Sequence, residues 1–432
     1  MYWDAYLASF HSLVWRIGGI PPMRVLMLGL EGQHISSCRL PGAFASAGAE
    51  LGALAPADSL MFLSRHLAAR FPLADALNAR RLLAGLEDAV ARFAPDFLVP
   101  CDERALWFLD HCRRRSAGNG FAAMSAGLAA CLTRSLGRLD TLSERISKPL
   151  TQRLGRRLGL RTPLDIVVKT LGEARSAALQ LGYPVVVKRT KSCGASGVHI
   201  CRTPAELEDR CRRWMRRKSW PRRLKARLLQ RDWLEPSTWL SVQQYVEGTL
   251  AVTCAAAREG RTFGVLTAVA ERQSSDVLPA DVLRYVERGD LIEMSAAMVA
   301  AFGATGFVSF DFLIDTRDEA WLLECNARPT PLVPFGARAG LDLVQCFLAA
   351  AEPAVSGTAE AAGPKRVRQA TRVALFPQAL IPGAADDALR AIWHAVPWDD
   401  PDLLRALLVR LRADRKAAGR SGNVRSGSGV RV

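Results

Sequence analysis

What most constrains this 432-residue chain is a pair of apolar segments carrying acids where a buried strand ordinarily carries none. Phe307-Val-Ser-Phe-Asp311-Phe-Leu-Ile-Asp315 and Ala320-Trp-Leu-Leu-Glu324-Cys-Asn326-Ala-Arg328 flank a short turn and read as one hairpin. Side chains alternate between the two faces of a strand, so Glu324 and Asn326 emerge on the same face. Asp311 falls on the partner strand at a separation that can bring it beside them. Buried unpaired among apolar neighbours, two carboxylates and an amide oxygen would cost several kcal/mol each. Either they stay solvated on a capped hairpin, or hard-oxygen coordination of Mg²⁺, completed by nucleotide phosphates, removes the cost. Arg328 is then near enough to neutralise developing anionic charge.

A second segment runs Pro184-Val-Val-Val-Lys188, then Arg-Thr-Lys-Ser192-Cys-Gly194-Ala-Ser196-Gly197-Val. The unbroken apolar run suits a buried strand, and its lysine leads into a loop of small residues. Such a loop lets backbone N–H groups approach phosphate oxygens while the lysine acts on them as a point charge. The other reading is a strand that ends at the surface in an ordinary hairpin turn. No Gly-Lys-Ser/Thr opens a helix here, so it is not a Walker A loop, and Gly29-Leu-Glu-Gly32 is not a dinucleotide fingerprint.

Around these segments strands and helices alternate. Arg24–Gly29 and Phe97–Pro100 read as buried strands of a small α/β unit. The Gly/Ala/Ser-rich patch 116–131 reads as a loop or helix, and 140–160 as an amphipathic helix broken near Pro149. Strands are expected at Leu164–Val168, Pro184–Lys188, Val198–Cys201, Leu240–Val246, 250–257, 262–270, 306–315 and 320–326. Helices are expected at Gly172–Leu181, through the basic stretch 204–231, and at 281–302. The segment 352–370 reads as a linker and 371–413 as a small C-terminal unit, with a Gly/Ser/Arg tail behind it.

Charge narrows the partners. The net +16 is concentrated: Arg210–Arg231 holds eleven cations and no acid, and Arg405 to the end holds eight cations against Asp414 alone. The rest sums to about −2, so the basic balance does not of itself indicate nucleic acid, which is not expected as a partner. The run 210–231, with Trp214 and Trp220 interleaved, reads as solvated helix, or as a grip for an acidic carrier protein, nucleic acid or an anionic membrane surface. Ten scattered cysteines without a C-x-x-C pair read as reduced thiols. No signal peptide or transmembrane segment is legible, and a cytoplasmic location is expected. Cys193, with His199 nearby, and the isolated His34, His66, His111 and His394 are read as structural or surface residues.

Taken together, these segments resemble the ATP-grasp superfamily over about residues 24–345, and in particular bacterial members of the carbamoyl-phosphate-synthase-like type. The resemblance implies an α/β and α+β architecture, an ATP-grasp fold with an N-terminal α/β (pre-ATP-grasp) domain. The divisions are then an extension at 1–22, the pre-ATP-grasp domain at 23–135, the ATP-grasp domain at 136–350, a linker and small unit at 351–413, and a basic disordered tail at 414–432. It implies that Lys148 and Lys188 bind ATP phosphates and that the loop Thr190–Gly197, through Ser192, Gly194, Ser196 and Gly197, closes over them. The hinge Val242–Gly248 would hold adenine, with Gln243, Gln244, Tyr245, Val246 and Glu247 around the nucleotide and backbone groups of Gln244 and Val246 facing the purine. Asp311, Glu324 and Asn326 would hold Mg²⁺, or Mn²⁺ in its place, and Arg328 and Lys188 would be catalytic. Two positions depart from the pattern. Gln243 stands where an acid usually begins the hinge, and Thr249 and Leu250 stand where a ribose-binding glutamate is common, with Glu247 as a substitute.

The reaction so implied is ATP- and Mg²⁺-dependent activation of a small-molecule carboxylate as an acylphosphate. An amine or similar nucleophile attacks it, releasing ADP and phosphate. The alternative is a nucleotide-binding module without ligase activity that recruits an acidic partner through the basic run.

Overall fold

The computed structural model describes residues 21–116, 124–190, 197–216, 219–234, 239–273, 280–351, 371–380 and 392–425, without the side chains of 116 and 417–425. The N-terminal part is built on strands β1 (Arg24–Leu28), β2 (Glu50–Pro56), β3 (Ala69–Leu73) and β4 (Phe97–Pro100), with helices α1 (Ile35–Cys38), α2 (Leu40–Ser46), α3 (Ala79–Phe93), α4 (Glu103–Ser116) and α5 (Ala126–Leu136). The strands pair parallel in the order β3-β2-β1-β4. Val25–Leu28 and Phe97–Val99 are buried on both faces, as a helix-covered parallel sheet requires. The α3 N-terminus is capped by Asn78, whose side chain accepts from the Arg81 amide at 3.0 Å. Within the patch 116–131, Ser125 caps α5, while 117–123 lie outside the described residues.

Two short helices, α6 (Leu142–Ile146) and α7 (Lys148–Arg157), lead onward. The break falls at Ser147, and Pro149 occupies the first turn of α7, where its missing N–H costs nothing. A small antiparallel sheet follows: β5 (Asp165–Val168), α8 (Leu171–Leu181), β6 (Val185–Arg189), β7 (Val198–Cys201), α9 (Pro204–Trp214), α10 (Trp220–Leu228) and β8 (Leu240–Gln244), with strand order β5-β8-β6-β7. Helices α8 and α9 cover its core of Val168, Val185, Val187, Leu240 and Val242.

The remainder is β9 (Thr249–Arg258), β10 (Arg261–Gln273), β11 (Ala280–Tyr285), α11 (Gly289–Phe302), β12 (Gly306–Ile314), β13 (Ala320–Asn326), α12 (Leu343–Ala351), β14 (Arg372–Ala374), β15 (Trp393–His394) and α13 (Pro401–Arg425). The seven strands form one sheet, β13-β12-β9-β10-β11-β14-β15. One face packs on α11 through Met298, Phe302 and Phe310. The other packs on the N-terminal part, where Phe307 and Phe347 meet Phe44 and Phe97.

Four expectations change. Residues 281–302 are not one helix: Ala280–Tyr285 is a strand lying between β10 and β14, and α11 starts at Gly289. Its second partner comes from residues 372–374, a pairing that no local pattern reveals. The C-terminal residues do not form a separate unit. Strands β14 and β15 extend the large sheet, and α13 packs Leu403, Leu407 and Leu411 against Cys38, Leu60 and Phe376. That helix continues to Arg425, through the first part of the expected disordered tail, carried on by Arg415, Lys416, Ala417 and Ala418 despite the poor helix formers Gly419, Gly422 and Asn423 beyond them. The hinge strand ends at Gln244 rather than Val246. Among the described residues no helix is long and apolar enough to cross a membrane.

Candidate functional site

A cavity of about 600 Å³ opens between the small antiparallel sheet and the seven-stranded sheet, with α4 of the N-terminal part at one side, within the size range of small-molecule sites. Its floor is the β12–β13 hairpin. Antiparallel register sets Asp311 directly opposite Glu324 and Ser309 opposite Asn326, with an irregularity between Asp311 and Phe312. Asn326 Nδ2 donates to Asp311 Oδ1 at 3.4 Å. The acids that the alternation aligned are therefore brought together, and they line the cavity rather than the solvated edge of the hairpin.

Lys148 reaches this floor because α7 is fastened to β13. Gln152 Nε2 donates to the Leu323 carbonyl at 2.9 Å, and a Cβ on Gly155 would stand 2.9 Å from Leu322 Cδ2. At the first turn of α7, Lys148 Nζ lies 2.6 Å from Glu324 Oε2. Lys188 approaches from β6, its register partners being Val198 and Ser241, and only 5% of its surface is exposed.

These charges set one another's protonation. Burial works against the Lys148 ammonium, but Glu324, then Asp311 and Glu103, outweigh it and hold its pKa above the ordinary lysine value. Among the described residues Lys188 has no ion pair so close; burial and then the Lys148 charge pull it down to about 8. Burial would raise Glu324, yet the two lysines keep it below the usual carboxylate range. Asp311 goes the other way, raised by burial and then by the charge of Glu324 across the ladder. Glu324 carries the pair's negative charge, and Asp311 is the carboxyl that a cation would most relieve.

The N-terminal part adds a second charged group. Asp102 accepts from the amides of Leu30 at 2.7 Å, Glu31 at 2.9 Å and Ala105 at 2.9 Å, tying the turn after β1 to the start of α4. This delivers Glu103 to Arg328, whose Nη2 donates to Glu103 Oε1 while its Nη1 donates to the Pro329 carbonyl at 3.1 Å. Burial would neutralise both, but the pairing keeps Glu103 below and Arg328 above their ordinary values. Arg328 Nε is buried with no hydrogen-bond partner among the described residues. His34 sits close by, held to about 4 by burial and then by Arg328, so its imidazole is neutral. Arg145 also borders the cavity, but its guanidinium serves the carbonyls of Leu136, Arg138 and Phe302 and the hydroxyl of Thr141.

The remaining wall is the hinge: Gln243, Gln244, Tyr245, Val246, Glu247 and Gly248 all line the cavity. Gln243 is buried and Glu247 exposed at the rim. Of the Gln244 backbone groups the N–H is taken: it donates to the Leu164 carbonyl at 2.8 Å, and the Gln244 side chain accepts from the Leu164 amide at 3.2 Å. The glycine after the hinge has a steric cause: a Cβ on Gly248 would lie 2.4 Å from the Ile314 carbonyl oxygen, where the chain crosses the end of β12. Of the glycine-bearing loop, Ser192, Cys193, Gly194 and Ser196 lie outside the described residues, and Gly197 is buried at the start of β7.

Among the described residues no group of three or more His, Cys, Asp or Glu side chains could hold a metal ion. Two facing carboxylates with an adjacent amide oxygen are nonetheless a hard-oxygen set that fits Mg²⁺ completed by phosphates. Glu103, Glu31, Asp102 and His34 were missed in the sequence. They gather from the ends of β1 and β4, and the Asp102-Glu103 pair directly after a buried strand was the available signal.

Comparison with known proteins bears on the fold. Residues 153–223 match the family of carbamoyl-phosphate synthase L chain ATP-binding domains. A D-alanine–D-alanine ligase of Pseudomonas fluorescens is 26% identical over 228 residues, 50% of this chain and 66% of the relative. The carbamoyl phosphate synthase large chain of Xylella fastidiosa is 27% identical over 203 residues, 44% of this chain and 17% of that one. The chain thus spans just under two thirds of the ligase and a small part of the synthase. Among solved structures, the biotin carboxylase domain of Hydrogenobacter thermophilus 2-oxoglutarate carboxylase, in complex with MgADP and bicarbonate, superposes with a TM-score of 0.55 at 17% identity, covering 81% of this chain and 73% of that one. An L-amino acid ligase from Bacillus licheniformis gives 0.54 at 16% identity, covering 77% and 75%. The chain has the ATP-grasp fold, and the resemblance to that superfamily is borne out.

Proposed function

We propose that this protein is an ATP- and Mg²⁺-dependent ligase that activates a small-molecule carboxylate as an acylphosphate for attack by an amine or similar nucleophile. The observation that carries the reading is the convergence of Lys148, Lys188, Asp311, Glu324, Asn326 and Arg328 on one cavity. Two lysines supply the positive charge that phosphates need, and the hairpin supplies the oxygens that a hard cation needs. Asp311, Glu324 and Asn326 would hold Mg²⁺, or Mn²⁺ with the same preference for oxygen. The ion would neutralise charge on the transferring phosphoryl group.

The hinge residues Gln243 to Glu247 would take the base and sugar. A substrate carboxylate oxygen attacks the terminal phosphorus, the bond to the bridging oxygen breaks, and ADP leaves. The nucleophile then attacks the acyl carbon, the acyl C–O bond breaks, phosphate leaves, and the amine proton passes to solvent. Lys188 and Lys148 hold phosphate oxygens, and Arg328, with its unpartnered Nε, faces the growing negative charge. Catalysis on this scheme is positioning and electrostatics, not covalent chemistry by a side chain. The reaction would take place in the cytoplasm.

Thermal unfolding with and without Mg·ATP, on the wild type and on Lys188→Ala, tests the first half. Ligand at a hundred times its dissociation constant should add roughly 2.7 kcal/mol, and the substitution should remove it. Screening carboxylate–amine pairs for ADP release tests the second half. Absence of any shift at millimolar nucleotide would sink the reading.

A further inference from the structure

Helix α10 is built inside out. Its side chains are exposed from end to end, with only Ala226 half-buried. The apolar residues are the outward ones: Trp220 is 73% exposed, Leu224 46% and Leu228 73%. Spaced four apart, they form a single stripe about 80° wide, and Ala226 lies about 200° around the helix from its centre. The helix rests on the protein by its alanine edge and turns its tryptophan and leucines to solvent. The neighbouring α9 does the opposite, burying Leu207 and Cys211 and pairing Arg212 with Glu208 and Arg213 with Asp209.

Cations border the stripe on both sides, Arg223 and Arg227 along one edge and Lys225 along the other, with Arg222 behind. None of these four side chains has an ion-pair partner among the described residues. The helix is held in this attitude by its C-terminal end. The Ala79 amide donates to the Gln230 carbonyl at 2.8 Å, Asn78 Nδ2 to the Leu229 carbonyl at 3.0 Å, and Arg231 pairs with Asp75 at 2.9 Å.

We propose that α10 is a docking face for an anionic membrane surface. Trp220, Leu224 and Leu228 would enter the headgroup layer, with the flanking arginines and lysine on lipid phosphates. This chemistry is that of a helix lying in the interface plane. Cations on both flanks suit a plane that is anionic in every direction around the inserted stripe; a groove in an acidic protein would need acids along both of its walls. The inference stands apart from the ligase reading, since no residue of α10 lines the cavity.

The test is flotation of the full chain with vesicles of phosphatidylcholine alone and of phosphatidylcholine with about a quarter phosphatidylglycerol. Binding is expected on the anionic vesicles only and should weaken as salt rises. The double substitution Leu224→Glu/Leu228→Glu should lower the bound fraction by about tenfold or more. Leu224→Ala/Leu228→Ala should lower it less, and both should unfold at the wild-type temperature. Failure to float at low salt, equal binding to neutral vesicles, or binding indifferent to the leucines would overturn the proposal. Retention on immobilised poly-glutamate by a chain that ignores vesicles would overturn it too, and would assign the face to an acidic polypeptide.

Discussion

The cavity floor and helix α10 both concentrate charge, and they treat it in opposite ways. In the cavity, Lys148, Lys188, Asp311, Glu324, Arg328 and Glu103 lie far enough from water and close enough together that burial and then the neighbouring charges shift each pKa. On α10 the cations stand in solvent, unopposed, around an apolar stripe. Burial makes charges interdependent and makes the loss of one partner costly. Exposure leaves them independent and of little consequence to the fold, free to act on something outside it.

Substitutions should separate the two regions sharply. The largest effect is expected at Lys188→Ala, with turnover falling roughly a hundredfold or more while the unliganded protein remains folded; ADP release measures it. Next, Arg328→Met should destabilise by about 3–5 kcal/mol, because it leaves Glu103 buried and uncompensated. Chemical denaturation should show the double variant Arg328→Met/Glu103→Gln recovering much of that loss, and no recovery would mean that the pair is not coupled.

Lys188 should leave its own mark on the pH dependence. Its folded-state pKa of about 8 lies below the ordinary value of 10.5, so between those limits the unfolded chain binds more protons at this site. The Lys188 contribution to the stability of the unliganded protein should therefore rise from pH 8 towards pH 10.5, by up to roughly 3 kcal/mol, against the opposite trend of buried thiols such as Cys38 and Cys112, which burial raises to about 12. Lys188→Met should flatten that rise, and unfolding curves across the alkaline range would show it. Gly248→Ala, which drives a methyl into the Ile314 carbonyl, should cost about 1–3 kcal/mol. Smallest of all, Arg222→Ala and Arg223→Ala on α10 should change stability by less than about 0.5 kcal/mol. A larger loss there would end the contrast, since it would mean that those cations serve the fold.

Much of the site could be read before any coordinates. Alternation along two apolar runs placed Glu324 beside Asn326 and offered Asp311 to them, and an apolar strand ending in Lys188 marked its partner. These are local signals, repeated every second residue. The strand at Ala280–Tyr285 was hidden because one of its neighbours lies some ninety residues further on, at β14. The N-terminal acids were hidden for a related reason: Glu31 and Glu103 follow different strands, and only the parallel pairing of β1 with β4 brings them to one edge.

Sequence alone therefore determined the hairpin of acids, the lysine-ended strand, the hinge with its glycine and the basic run, since each depends on the periodicity or chemistry of neighbouring residues. Tertiary structure decided which charges face one another, that Arg328 is held by Glu103 rather than left free, that the C-terminal strands complete the large sheet, and that α10 turns its leucines outward. Those outcomes depend on packing between segments far apart in the chain, where the energy of a contact is set by burial and distance and not by the order of residues.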